Sequence, residues 1–121
     1  MSYDFMMMKP RAGRESAIES LEDLGEHTLL RQDPAALVEA LSSLFPDIAW
    51  RKEEDGGWFG SLRGEDSWHE FRIEAAADTS WSIRTSHRAG THNLVPRICD
   101  TLGLLAFDSE ANLLIWPASR A

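Results

Sequence analysis

At 121 residues the chain has the length of one domain, with 43% hydrophobic and 26% charged residues. Five Trp and five Phe exclude a chain without a core. A net charge of −8 excludes a general nucleic-acid binder, which needs a basic stripe to displace counterions from phosphate.

The first element is a strand over residues 3–9. Tyr3, Phe5 and Met7 fall on one face and Met6 and Met8 on the other, so both faces should be covered and the strand should lie inside a sheet. Pro10 should end it by removing a ladder donor. The order within residues 1–10, with Asp4 before the methionines and Lys9 after them, is the reverse of a signal peptide. No stretch approaches the roughly 20 apolar residues of a membrane span. One cysteine, Cys99, precludes an intramolecular disulfide and suits a reducing compartment. The expectation is a soluble cytoplasmic protein.

Residues 14–24 place Ala17, Ile18, Leu21 and Leu24 at helical spacing, with Gly25 as a stop, and predict a first helix. A second is predicted from Asp33 as N-cap and Pro34 at the first helical position, with Leu37, Val38, Leu41, Leu44 and Phe45 as its stripe. From Ile48 the period turns from helical to alternating. Residues 48–52, 58–63, 68–75 and 80–87 read as four strands joined by short turns, the first turn carrying Asp55-Gly56. Within them His69, Phe71 and Ile73 alternate with Trp68, Glu70 and Arg72. A third helix is predicted over residues 94–102, capped by Asn93 and stopped by Gly103, and a last hairpin over residues 104–107 and 113–116. The expected fold is α+β: a single domain over residues 1–121, with a mainly antiparallel sheet of five to seven strands and about three helices packed on one face.

Catalytic motifs are missing from this pattern. No Walker loop, Cys-x-x-Cys or Gly-x-Ser-x-Gly is present, and Gly56, Gly57 and Gly60 read as a hairpin turn. His69, His87 and His92 could converge on a metal and would make a small metal-dependent hydrolase, although His69 alternates with core residues. Cys99 with His87 or His92 as base would make a nucleophile, but it lies on an apolar helical stripe, where cysteine behaves as a small hydrophobe. Ser86 and His87 are adjacent on a strand and point to opposite faces. No enzyme activity, metal or cofactor is expected.

The tryptophans are more informative. Trp50, Trp58, Trp68 and Trp81 fall within the meander, and a sheet with helices on one face cannot bury all four there. If Phe71 and Ile73 point inward, Trp68 points outward, either as an anchor for a partner or stacked on Arg84 or Trp58. Residues 1–66 carry 14 acidic and 7 basic side chains, and residues 67–121 carry 6 and 5. The acidity therefore lies before the strand that holds Trp68. Such a field draws in a basic partner, or simply keeps the chain soluble.

Two segments carry a resemblance. Ser2-Tyr3-Asp4-Phe5-Met6-Met7 running to Lys9-Pro10, and Leu102-Gly103-Leu104-Leu105-Ala106-Phe107-Asp108, resemble small bacterial proteins of the immunity type, encoded beside polymorphic or type VI secreted toxins. The resemblance implies stoichiometric binding of a toxin and transfers no catalytic residue. The expectation is a binding protein with Trp58 and Trp68 as anchors and Glu53, Glu54, Asp55, Glu65 and Asp66 as an acidic rim. A homodimer using the same face on itself is the alternative.

Overall fold

The structure, a computed structural model, describes residues 2–76, 78–86 and 94–117. Among them the chain forms eight strands: β1 (Tyr3–Pro10), β2 (Leu29–Leu30), β3 (Ala49–Lys52), β4 (Trp58–Arg63), β5 (Trp68–Ile73), β6 (Ser80–Thr85), β7 (Leu105–Asp108) and β8 (Leu113–Ile115). Two α-helices, α1 (Pro34–Leu44) and α2 (Leu94–Leu102), complete it. Every strand pairing is antiparallel, in the order β3-β4-β5-β6-β1-β7-β8, with β2 beside the end of β1. The fold is thus α+β with one more strand than the five to seven expected, and two helices instead of three.

β1 lies between β6 and β7 and is covered on both sides, as its apolar side chains on both faces require. Phe5 and Met7 join the core under the helices, and Met8 joins a second cluster on the opposite face. The strand runs on through Pro10, where β2 pairs with it. β2 is too short to leave a periodic signal.

The missing helix is the largest correction. Residues 14–24 form two single 3₁₀ turns, at Glu15–Ala17 and Leu21–Asp23. Of the expected stripe only Ile18 is fully buried, and Leu21 is 46% exposed. Side chains satisfy the backbone locally and end the helix before it can grow. Asp23 Oδ2 accepts the Glu19 and Ser20 N–H groups at 2.9 and 3.1 Å. Those two bonds hold the Asp23 carboxyl below the ordinary carboxylate range. The Thr28 hydroxyl donates to the Asp23 carbonyl at 2.7 Å and pins the next bend.

The other two helices follow their signals. Asp33 accepts the Ala36 N–H at 3.0 Å, Pro34 opens α1, and Leu37 and Leu41 face the sheet. α2 buries Leu94, Val95, Ile98 and Cys99 and ends at Gly103. Gly103 takes φ 66°, and the Leu104 N–H donates back to the Cys99 carbonyl at 3.0 Å. A left-handed residue is what that closure needs, and glycine reaches it at no steric cost. The expected cap Asn93 lies outside the described residues.

Both helices pack on the face that carries Phe5, Phe71, Ile73 and Ile83. Burying each such side chain stabilises the fold by about 1.5–3 kcal/mol. Trp50 ties β3 to α1: its indole N–H donates to Ser42 Oγ at 2.9 Å, and its ring meets Trp58 edge-on at 6.5 Å between centroids. Gly60 belongs to β4 and not to a turn. It sits opposite Trp50 and under its ring, where a Cβ would lie 2.7 Å from Trp50 Cζ3.

Candidate interaction surface

Three of the catalytic candidates, His69, Ser86 and Cys99, lie within the described residues. His69 is buried on the helix-side face, opposite Leu62 on β4 and Thr85 on β6. His87 and His92 lie outside the described residues. Among the described residues no three His, Cys, Asp or Glu groups converge on a metal position. Cys99 is fully buried, and desolvation, aided by the charge of Asp100, pushes its thiol up to about 12. A nucleophilic thiol needs the opposite shift. Ser86 pairs with Trp68: its hydroxyl accepts the Trp68 N–H at 2.9 Å, and its own N–H donates to the Trp68 carbonyl at 3.0 Å.

Strand register separates the two tryptophans expected to act together. Trp58 is paired with the inward-facing Ile73, so it shares the helix-side face and packs against that core. Trp68 is paired with Arg63 and points to the other face. Trp58 and Arg63 are also five residues apart along β4, roughly 17 Å at about 3.4 Å per residue. Trp58 is therefore withdrawn as an anchor on the face of Trp68, and Trp68 cannot stack on it. Trp81 is buried on the helix side as well.

The acidic residues divide in the same way. Glu53, Glu54 and Asp55 occupy the turn between β3 and β4, and Glu65 and Asp66 the turn between β4 and β5. Successive turns of a meander lie at opposite ends of the sheet, so the two groups bracket it and do not converge on one pocket. Glu53 is half-buried and the other four are exposed.

The face away from the helices is covered on one side only. Ile18, Leu24 and Leu29 lie over Met8, Leu105 and Phe107. Over β3 to β6 nothing among the described residues covers the face, which in that sense is bare. One row of paired residues crosses it as Arg51, Phe59, Arg72, Ser82 and Met6, and runs on into the covered half at Phe107. Phe59 is clamped by two guanidinium groups, Arg51 at 5.0 Å and Arg72 at 5.6 Å from the ring centre. At exposed sites each such contact is worth about 0.5–1 kcal/mol. Arg84 pairs with Asp4 at 3.2 Å and Arg51 with Glu53 at 3.3 Å. A depression of about 440 Å³ opens where the bare and covered halves meet, with Leu21 and Phe107 on one side and Arg72 and Ser82 on the other. A smaller hollow of about 240 Å³ adjoins it between Phe59 and Arg84.

Phe59, Arg51 and Arg72 are the residues that sequence reasoning missed. Their signal was present in the parity of β4, where Phe59, Ser61 and Arg63 alternate with the inward Trp58, Gly60 and Leu62. No helix among the described residues is long and apolar enough to cross a membrane. Comparison of the chain with protein-family models, with curated proteins and with solved structures returned no match.

Proposed function

We propose that this chain is a non-enzymatic binding protein of the immunity type, which occludes a protein partner with the bare sheet face over β3 to β6, the acidic turns at the two ends of that face meeting basic residues of the partner. The observation that carries this reading is the bare half-face itself. It presents Trp68, and a clamped Phe59 beside the smaller hollow, on a sheet whose other half is covered by its own chain.

A standard interface buries about 800 Å² on each partner, a disc roughly 30 Å across. That size spans the sheet from the Glu53–Asp55 end to the Glu65–Asp66 end, so both acidic turns serve as rim. Trp68 is the apolar anchor near one end and Phe59 the anchor near the other. Clamping by Arg51 and Arg72 holds the Phe59 ring in place before contact, which lowers the entropy lost on binding. The rim carboxylates speed encounter with a basic surface.

The test is co-expression with the product of an adjacent gene, read by growth and by calorimetry of the purified pair. Trp68→Ala should weaken the complex by about 2 kcal/mol, close to 30-fold in Kd. Reversing Glu65 and Asp66 to Lys should slow association and flatten its salt dependence. Absence of both a complex and growth protection, or a complex indifferent to Trp68→Ala and Phe59→Ala together, overturns the reading.

A further inference from the structure

Charge is not spread evenly between the two acidic turns. In β3 to β6 the outward side chains that carry charge are Arg51, Arg63, Arg72 and Arg84, against Glu70 alone. In a chain of net charge −8, this face is therefore cationic in its middle and acidic at both ends. Two of the four guanidinium groups are answered from within the chain, Arg84 by Asp4 and Arg51 by Glu53. Arg63 and Arg72 make no ion pair among the described residues. Arg72 is the better placed of these two. It lies in the row Arg51, Phe59, Arg72 and Ser82, which holds no carboxylate. Glu70 and Asp4 belong to the next row, where Arg84 stands between them. The Phe59 ring steadies the Arg72 guanidinium at 5.6 Å but offers it no oxygen, so the N–H fork is left for an acceptor from outside the chain. The exposed Ser82 sits across from Arg72 on β6, and Phe59, Arg72 and Ser82 all line the hollow of about 240 Å³, which has room for a side chain.

We propose that the middle of this face seats an acidic side chain of a protein partner, its carboxylate held by Arg72 and Ser82 beside the Phe59 ring. The inference rests on the reading that this face meets a protein, and it adds the charge pattern of that protein: an acid at the centre of the patch and basic residues on its flanks. A nucleic acid supplies anions too, but as a continuous row, and the carboxylates of both turns repel it. A protein patch can place one acid between two basic flanks, and the match excludes partners that lack the pattern. The planar fork of a guanidinium meets a carboxylate at two points, which an ammonium group does not, so arginine is the residue this seat requires.

Isotope-labelled protein titrated with peptides and followed by NMR tests this. The probe is acetyl-Lys-Lys-Gly-Gly-Glu-Gly-Gly-Lys-Lys-amide, about nine residues that span roughly 30 Å when extended, and its twin carries Gln for Glu. Net charge alone favours the Gln twin on a chain of −8, so a preference for Glu reports the seat. The Glu peptide should shift the Arg72 Nε–H and the Phe59 ring and bind about threefold tighter than its twin, the scale of an exposed ion pair. Arg72→Gln, a change at an exposed side chain, should remove that preference, and Arg72→Lys should not restore it. Both variants should keep the shifts at Glu53, Glu54, Asp55, Glu65 and Asp66. Equal affinity for the two peptides, or an unmoved Arg72, overturns the proposal. So does a single-stranded oligonucleotide that moves Arg72 more than the Glu peptide does, which would assign the seat to phosphate. The binding reading fails separately, on co-expression: a complex that forms there and tolerates Arg72→Gln overturns this inference and leaves that reading standing.

Discussion

Gly60→Ala adds one methyl group at a point with no room for it. The new Cβ would lie 2.7 Å from Trp50 Cζ3, 2.8 Å from Ile48 Cγ2 and 2.9 Å from Trp50 Cε3. Neither neighbour yields cheaply. Ile48 is buried, and Trp50 is held by the Ser42 bond, by the edge of Trp58 and by Phe71 at 6.0 Å. Overpacking of this kind costs about 1–3 kcal/mol. If the indole swings away, the Ser42 bond goes too, at about 1 kcal/mol. Replacing glycine in a strand returns about 0.5–1 kcal/mol of backbone entropy. The net loss is therefore about 2 kcal/mol. With unfolding entropy near 2.1 cal/mol/K per residue, 121 residues give about 0.25 kcal/mol/K, so the midpoint should fall by about 8 °C. Thermal melts followed by circular dichroism and tryptophan fluorescence read it. Combining Gly60→Ala with Trp50→Leu should recover part of the loss, because the clash with the indole is then gone and only that with Ile48 remains. A midpoint unchanged or raised in Gly60→Ala would refute the reasoning that Trp50 is wedged over this glycine.

Leu41→Ala, at a fully buried site under the sheet, should cost about 3 kcal/mol in urea unfolding, and Asp33→Ala about 1 kcal/mol through loss of the α1 cap. Cys99 should resist thiol reagents in the native protein and react on denaturation. Because its folded thiol is raised from 9.0 to about 12, its protonated form contributes fully below pH 9, and that contribution is lost as pH rises from 9 towards 12. Cys99→Ser should flatten stability across that window. Asp23 has the opposite sign: its folded carboxyl is lowered, so its contribution is present above the ordinary carboxylate range and is lost as pH falls through it. The protection factors of the Glu19 and Ser20 amides, taken against intrinsic exchange at each pH, should fall in acid, and Asp23→Asn should remove the pH step.

Alternation made most of the meander legible. Trp58–Arg63 appears with the bounds its pattern implies, and His69, Phe71 and Ile73 turn inward together, as do Trp81, Ile83 and Thr85. The Asp33-Pro34 start located α1 for the same reason: each residue acts on its own neighbourhood. Residues 14–24 misled because Ala17, Ile18, Leu21 and Leu24 have helical spacing without helical burial. Asp23 and Thr28 supply competing side-chain bonds that spacing does not register. At the candidate surface, Trp68 was placed correctly on the outer face by its alternation with Phe71 and Ile73. Trp58 was not, because its face depends on register across the hairpin. The Arg51–Phe59–Arg72 clamp draws on three strands, and no reading of one strand at a time assembles it.

The central position of β1 has a consequence for the order of assembly. The first strand made is flanked by two made much later: Asp4 meets Arg84 across 80 residues of chain, Ser109 meets the Asp4 carbonyl across 105, and Lys9 reaches Leu102 across 93. On the ribosome β3 to β6 can zip up as successive hairpins, but the methionine-rich strand waits for β6 to cover one edge and keeps the other open until β7 has emerged. Contacts of such long range place folding on the millisecond-to-second scale. Through that interval Phe5, Met6, Met7 and Met8 are the stretch of this chain most in need of a chaperone.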